Sequence, residues 1–297
     1  MLVLLISELI NIVKMSNQIN YREKLKISVI TPSFNQGKYI EETILSVINQ
    51  GYSNLEYIII DGGSTDNTIE IIKKYENKIS YWVSEKDSGQ SEAINKGFKI
   101  ATGDILCWLN SDDIFLSNAL NIVSSFFINN KEYQVVNGYL VIIDQFSNIL
   151  DNLVTLRQKE WYARRGVYYV SQPSMFWRKE VLQKVGFLRN DFQASMDREF
   201  LIRIFQNNIR IGQIKKLLAG FRVHDTSKSA AGWENKDYIR DLAMIKEIHG
   251  NQYGGEPLLF YKLVYGLEKF LRGIYLKNWI FCFRWKGYPV EKISLSN

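Results

Sequence analysis

Three times between Ile27 and Asp113 an apolar run passes straight into a short polar loop carrying acids: Asp61-Gly62-Gly63-Ser64-Thr65-Asp66, Glu85-Lys86-Asp87 and Asn110-Ser111-Asp112-Asp113. Carboxylates at such places support two kinds of recognition. Asp61 can accept a hydrogen bond from an imide N–H, which uracil and thymine present and cytosine lacks; its structural alternative is to cap the turn that Gly62 and Gly63 allow. Asp112 and Asp113 are hard oxygen donors of the kind that hold Mg²⁺ or Mn²⁺ to a diphosphate, where protein supplies one or two carboxylates and the phosphates supply more. An adjacent acidic pair is common on surfaces. Its position, directly after a buried run whose neighbours also end in acids, is what gives it weight.

Those acids need a sheet to bring them together, and the periodicities predict one. Lys26 to Ile30 reads as a buried strand, ended by Pro32 because proline cannot donate to a ladder. Ile40, Ile44, Val47 and Ile48 stripe a helix, with Glu41, Glu42 and Asn49 on its other face. Leu55 to Ile60 is a second strand, followed by a helix marked by Ile69, Ile72 and Tyr75, with Ser64 or Asp66 as cap. Ile79 to Val83 is a third strand, Ala93, Ile94, Gly97, Phe98 and Ala101 stripe a third helix, and Ile105 to Leu109 is a fourth strand. Such alternation with short connections implies an α/β fold, a Rossmann-like, mostly parallel sheet with helices on both faces. Ligands of these sheets lie beyond the carboxyl ends of the strands, where the acidic loops fall.

The composition fits a globular protein: 297 residues, 46% apolar and 23% charged. Two cysteines, Cys107 and Cys282, show no CxxC spacing, which predicts a reducing compartment and no structural disulfide. With only two histidines, a general base is expected to be a carboxylate. The net charge of +6 invites either nucleic acid or an anionic membrane, and its distribution favours the membrane. From Leu258 to Trp285 aromatic residues alternate with Lys262, Lys269, Arg272, Lys277 and Arg284. Cations this frequent exclude an ordinary spanning helix, leaving an interfacial helix or helices packed back on the main domain with solvated lysines. Met1 to Val13 is apolar but short and interrupted by Glu8, a poor signal peptide; either translation starts at Met15 or the segment is an extra helix. The expected organisation is an extension over 1–25, a catalytic domain over 26–235, and a helical, aromatic and basic segment over 236–297.

Four fragments occur in order: Ile30 to Asn35 (ITPSFN), Asp61 to Asp66 (DGGSTD), Asp87 to Gly97 (DSGQSEAINKG) and Leu109 to Asp113 (LNSDD). Each alone is weak or moderate; together they resemble family 2 glycosyltransferases of the GT-A fold, over about residues 26 to 230. The resemblance implies that Thr31, Pro32, Ser33, Phe34 and Asp61 line a nucleoside pocket and that Asp87 lies near the ribose or uracil. It places Asn95, Asn110 and Ser111 in the donor-binding motifs and makes Asp112 and Asp113 the metal-binding acids. One departure is Asn110, where the family usually has Asp, leaving the metal to Asp112 and Asp113. Met196 to Arg203 resembles the acidic helix start that carries the family's base; with Met196 in place of the first acid, Asp197 is the expected base and Glu199 the weaker candidate. Helix-end stabilisation by Asp197, worth about 0.3–1 kcal/mol, is compatible with that role. Phe221 to Ser229 resembles the late loop near the diphosphate, making His224 a candidate third metal ligand and Arg222 or Lys228 a phosphate contact.

The chemistry so implied is an inverting displacement, in which a carboxylate deprotonates an acceptor hydroxyl that attacks the anomeric carbon of a nucleotide-diphosphate sugar, with Mn²⁺ or Mg²⁺ on the leaving group. A uridine donor, a saccharide or lipid-linked acceptor of a surface polysaccharide, and a cytoplasmic location on the inner face of a membrane are the expected setting. Val170 to Trp177 reads as a strand before a helix at Lys179 to Val185 with Gly186 as its stop, and Trp108, Asn110, Gln172 and the segment Trp161 to Tyr169 are candidates for sugar specificity. A dinucleotide-binding dehydrogenase or P-loop NTPase is excluded by the absence of GxGxxG after the first strand and of GxxxxGK[ST]. A sugar nucleotidyltransferase lacks its Gly-rich basic loop here. The alternative from another class is a related fold without turnover that only binds a glycan or partner, against which the joint presence of Asp61, Asp87, Asp112, Asp113 and Asp197 argues.

Overall fold

A computed structural model describes residues 24–164, 168, 170–225, 227, 235–254 and 259–294. Met1 to Val13, Met15, Lys228 and part of the Trp161–Tyr169 segment lie outside the described residues. Among the described residues nine strands form one sheet: β1 (Ile27–Ser33), β2 (Leu55–Asp61), β3 (Tyr81–Ser84), β4 (Ile105–Trp108), β5 (Ile114–Phe115), β6 (Val135–Ile143), β7 (Ile149–Leu153), β8 (Met175–Arg178) and β9 (Ile211–Arg222). Their order is β3-β2-β1-β4-β8-β6-β9-β5, with β7 beside β6. The first four are mutually parallel. Beyond β4 the sheet becomes mixed: β8 is antiparallel to β4 and β6, β6 and β9 run parallel, and β5 and β7 are antiparallel edges.

Burial on both faces explains why the strands read as continuous apolar runs. Ile58, Ile60, Leu106 and Trp108 point to one side, into the cluster formed with α3 (Gln90–Ile100), α5 (Glu180–Val185) and α6 (Met196–Gln206). Tyr57, Ile59, Ile105 and Cys107 point to the other, against α1 (Ile40–Ile48), α2 (Thr68–Lys74) and α4 (Ala119–Asn129). Each fully buried Ile or Phe of these stripes contributes roughly 1.5–3 kcal/mol. Gly97 lets α3 sit directly on β1, because a Cβ there would lie 2.5 Å from Ile30 Cγ2.

Three boundaries differ from the sequence expectation. Pro32 does not end β1, which stays paired with β2 through Ser33. Ile30 O accepts from Leu109 N and Ser33 O accepts from Gly62 N, so by strand alternation Pro32 faces the β4 side, where pairing has already stopped at Trp108. Its missing N–H therefore breaks no ladder bond. The third strand starts at Tyr81, because Glu76–Lys78 first makes a 3₁₀ turn. Likewise Gln172–Ser174 is a 3₁₀ turn around Pro173, and β8 begins at Met175.

After β9 the chain forms α7 (Lys236–His249), capped by Asn235 Oδ1, which accepts from the N–H groups of Asp237 and Tyr238. Its Ile245 joins the cluster containing Trp108 and Phe200, so this helix shares the core of the sheet. The extension continues with α8 (Leu259–Leu271) and α9 (Ile274–Trp285), flanked by the one-turn helices Asn251–Gly254 and Glu291–Ser294, and among the described residues no helix is long and apolar enough to cross a membrane.

Candidate active site

The β2–α2 loop is built inward. Asp61 is fully buried; its Oδ2 accepts from Gly63 N at 3.1 Å, Ser64 N at 2.8 Å and Ser84 Oγ at 2.6 Å, while Oδ1 accepts from Ser64 Oγ. The turn-capping alternative is thus what its Oδ2 does, and only Oδ1 keeps acceptor capacity. Ser64 Oγ in turn accepts from Asn35 N, and Asp66 accepts from Gly37 N and Thr68 N, so Asp66 rather than Ser64 serves the start of α2 and both tie this loop to the end of β1. Gly62 brings the loop close to Asp87, whose Oδ2 lies 2.9 Å from where a Cβ would be. Burial pushes the Asp87 carboxyl up, and the neighbouring acids Glu92 and Asp61 add to that.

Along β1, Thr31 and Pro32 are buried within the strand, and Thr31 Oγ1 accepts from Tyr57 Oη at 3.2 Å. The Thr31 side chain therefore faces the core instead of a nucleoside. Ser33 ends the strand with a buried hydroxyl that has no protein partner among the described residues, and Phe34 stands exposed beyond it. Asn95 is also reassigned: its amide donates to Leu188 O and Asn190 Oδ1 and accepts from Leu188 N, which fastens α3 to the loop before α6. Trp108 lies in the core, 5.5 Å from Trp177 between ring centroids, away from any sugar.

The acidic pair divides into two environments. Asp113 is buried; Oδ1 accepts from Arg222 N at 3.0 Å and Oδ2 from Asn110 Nδ2 at 3.2 Å. Burial, with the charge of Asp112 beside it, drives its carboxyl well above the usual range. Each of its oxygens already accepts a hydrogen bond from the protein. Asp112 keeps 20% of its side-chain surface exposed and places Oδ2 3.1 Å from His224 Nε2, whose ring packs on Tyr39 at 4.6 Å. Among the described residues no group of three or more metal-ligating side chains forms. A carboxylate and an imidazole in contact still fit a divalent cation whose other ligands are phosphate and water, and the nitrogen favours Mn²⁺ over Mg²⁺.

Arg222, expected at the diphosphate, is instead the clamp of this rim. Its buried guanidinium donates to Asp112 O, Asp144 O, Ser147 Oγ and Glu42 Oε2 and lies over Tyr39 at 5.1 Å. It fixes the backbone that aims Asp112.

Asn110 now has a physical reason. Its Nδ2 donates to Asp113 and, at 3.4 Å, to Gln172 Oε1, while its Oδ1 accepts from Gln90 Nε2 at 2.8 Å. An aspartate could not donate and would place a third charge beside the pair. Gln172, itself anchored to Trp108 O at 2.7 Å, lines a pocket with Tyr168, Val170, Met175, Asp197, Arg198 and Leu201. Polar contacts therefore run from Asp113 through Asn110 and Gln172 to the pocket that holds Asp197.

Asp197 sits in the first turn of α6. Oδ1 accepts from Arg198 N at 2.8 Å, no protein donor is bonded to Oδ2 among the described residues, and burial raises its carboxyl above the ordinary range. Arg198 beside it is held by Tyr238 Oη, Tyr253 O and the face of Tyr168 at 4.2 Å. Met196, the departure noted above, accepts from Ser91 Oγ through its sulfur and joins α3 to α6. Glu199 is excluded as an alternative base: it is buried and engaged by Arg203 and by His249 Nε2 at 3.0 Å, and although burial acts to raise it, those partners hold it below the ordinary range. Sequence reasoning missed Asp241 and His249, which support α6 from outside any motif, and passed over Gln90, whose only signal was its place in the Asp87–Gly97 string.

Comparison with known proteins bears on the family and the fold. The model of "Glycosyl transferase family 2" matches residues 28–186. An uncharacterized glycosyltransferase of Mycobacterium tuberculosis is 30% identical over 187 residues, 60% of this chain and 68% of its own. Staphylococcus aureus TarS, solved with UDP-GlcNAc, superposes with a TM-score of 0.56 at 20% identity over 75% of this chain and 67% of that one. The mannosyltransferase PcManGT of Pyrobaculum calidifontis, solved with GDP-Man and Mn²⁺, gives a TM-score of 0.57 at 17% identity over 84% of this chain and 70% of its own. These likenesses show a shared GT-A fold, and a family match spanning more than half of the residues means that the chain belongs to glycosyltransferase family 2.

Proposed function

We propose that the protein transfers a sugar from a nucleotide-diphosphate donor, with UDP as the favoured nucleotide, to a saccharide or lipid-linked acceptor in surface polysaccharide synthesis, inverting the anomeric carbon. One observation carries this reading: Asp197, a raised carboxylate with no protein donor on Oδ2 among the described residues, lies in a pocket joined through Gln172 and Asn110 to Asp113, and the next acid along the chain, Asp112, contacts His224. The nucleoside would lie over the Ser33–Phe34 and Asp61–Asp66 loops, with Asp87 at its edge. Asp112 and His224 would hold a divalent cation against the diphosphate. Bound there, that cation would offset the charge gained by the leaving phosphate.

Asp197 Oδ2 takes the proton of the acceptor hydroxyl as its oxygen forms the new bond at the anomeric carbon and the bond to the diphosphate breaks. Burial suits this role, since a carboxylate held above its ordinary range is a stronger base than an ordinary one. A single base opposite the leaving group gives one displacement and inversion. TarS was solved with UDP-GlcNAc and PcManGT with GDP-Man, so the nucleotide preference of this chain is decided by assay. The test is a panel of UDP-, dTDP- and GDP-sugars scored for transfer, with product configuration assigned by NMR. Retention of configuration, or turnover only with GDP-sugars, would overturn the corresponding part.

A further inference from the structure

The hairpin of α8 and α9 is amphipathic in the reverse sense. Toward the protein it presents Tyr265 and Ile274, which are buried against Val154, Leu156 and Tyr162, together with polar groups: Glu268 accepts from Tyr162 Oη at 2.6 Å, and Cys282 Sγ donates to Asp151 Oδ1 at 3.1 Å. Outward it presents Leu263, Leu267 and Phe270 at i, i+4 and i+7, and Leu276, Trp279 and Phe283 at i, i+3 and i+7, each between 58% and 82% exposed. Leaving this much apolar surface in water is unfavourable by roughly 25 cal/mol per Å², and contiguous patches of this kind mark contact surfaces.

Charge identifies the occupant. Residues 259–294 contain seven Lys and Arg against two acids, Glu268 and Glu291, and Lys262, Arg272, Lys277, Arg284 and Lys286 are exposed beside the apolar stripes. A second copy would set like charge against like charge. Lipid phosphates complement it, since each cation near an anionic surface is attracted to it. Aromatic side chains such as Trp279, Tyr275 and Tyr288 suit the headgroup level. At 13 and 12 residues the two helices are too short to span, so they would lie in the interface plane. We propose that the outward face of α8 and α9 docks the protein on the surface of an anionic lipid bilayer. The surface is separate from the Asp197 pocket, and its test needs no turnover.

The test uses the full chain carrying Phe283→Cys in a Cys282→Ser background, labelled with nitrobenzoxadiazole; Cys107 is buried and does not compete. Addition of phosphatidylcholine vesicles containing phosphatidylglycerol should shift the label's emission to the blue, at least about tenfold more tightly than pure phosphatidylcholine, with loss of binding in high salt. Adding Lys277→Glu and Arg284→Glu should abolish the shift. A label already blue-shifted without lipid overturns the proposal, through a second copy if it depends on protein concentration and through the chain's own residues 1–23 if it does not. An equal response to both vesicle types, or none, overturns it too.

Discussion

If Asp197 is the base, its surroundings dictate a pH profile. The carboxyl is raised by burial, and only the ionised form can accept the proton, so kcat/KM should fall tenfold per pH unit as pH drops through a midpoint above the ordinary carboxylate range. Asp197→Asn should keep donor binding, lose transfer by about 10²–10⁴ and lose that midpoint; undiminished transfer removes the residue from the role. The stability sign is opposite. A raised carboxyl holds a proton in the folded state that the unfolded chain releases, so its contribution declines as pH rises from the unfolded value through the folded one. The Asn variant, lacking that decline, should be at least as stable as the native protein at neutral pH by thermal melting. The acidic pair makes a second pair of outcomes. Asp112→Ala should fold normally yet lose the Mn²⁺-dependent rise in melting temperature that UDP causes, whereas Asp113→Ala strips Arg222 N and Asn110 of a buried acceptor and should lower stability by about 1–3 kcal/mol. Both acids were visible as candidates in the sequence. Their division was not, because it depends on Arg222, which lies 109 residues away from Asp113 and whose destination no local pattern encodes.

Elements set where those side chains point, and the periodicities located most of them: α1, α3 and β1 to β4 occur in the expected order, with the ends of β1 and β3 displaced by a few residues, since each reports burial through its own sequence. The supports of α6 are different. Asp241 of α7 is buried, and its Oδ2 accepts from the N–H groups of Gln193, Ala194 and Ser195 at 3.0, 2.7 and 2.9 Å. Those donors immediately precede the helix that carries Asp197, so a helix outside every recognisable motif orders the start of the base-bearing one. Asp241→Ala should cost about 3 kcal/mol or more by denaturant titration, since orphaned buried donors cost about 1–3 kcal/mol each. A change within 0.5 kcal/mol would mean that the loop is held by other contacts. Gly97→Ala probes the opposite case, an element pairing legible in the sequence. Its Cβ would press on Ile30, with overpacking worth about 1–3 kcal/mol.

At the scale of the molecule, burial divides the helical extension into two unequal parts. α7 contributes Ile245 to the main core and Asp241 to the start of α6, and so must unfold with the sheet. The hairpin of α8 and α9 has one buried residue in each helix, Tyr265 and Ile274; Tyr261, Phe281 and Trp285 are partly covered, while Leu263, Leu267, Phe270, Leu276, Trp279 and Phe283 stay exposed. Amino-acid pattern could not make this division, because an apolar stripe reads the same whether it faces a core or the outside. The energetic consequence is a gradient: little apolar area is removed from water when the hairpin docks on the protein, so little opposes its opening. Native-state hydrogen exchange should therefore show amides of α8 and α9 exchanging through a local opening of low free energy, while amides of β1, β2 and α7 exchange only through global unfolding. Moderate denaturant should leave the first rate nearly unchanged and accelerate the second, because the small opening exposes little new surface. Equal protection of hairpin and sheet in the lipid-free monomer would show that the stripes are already covered, and the division of the extension into a core helix and a weakly held hairpin would fail with it.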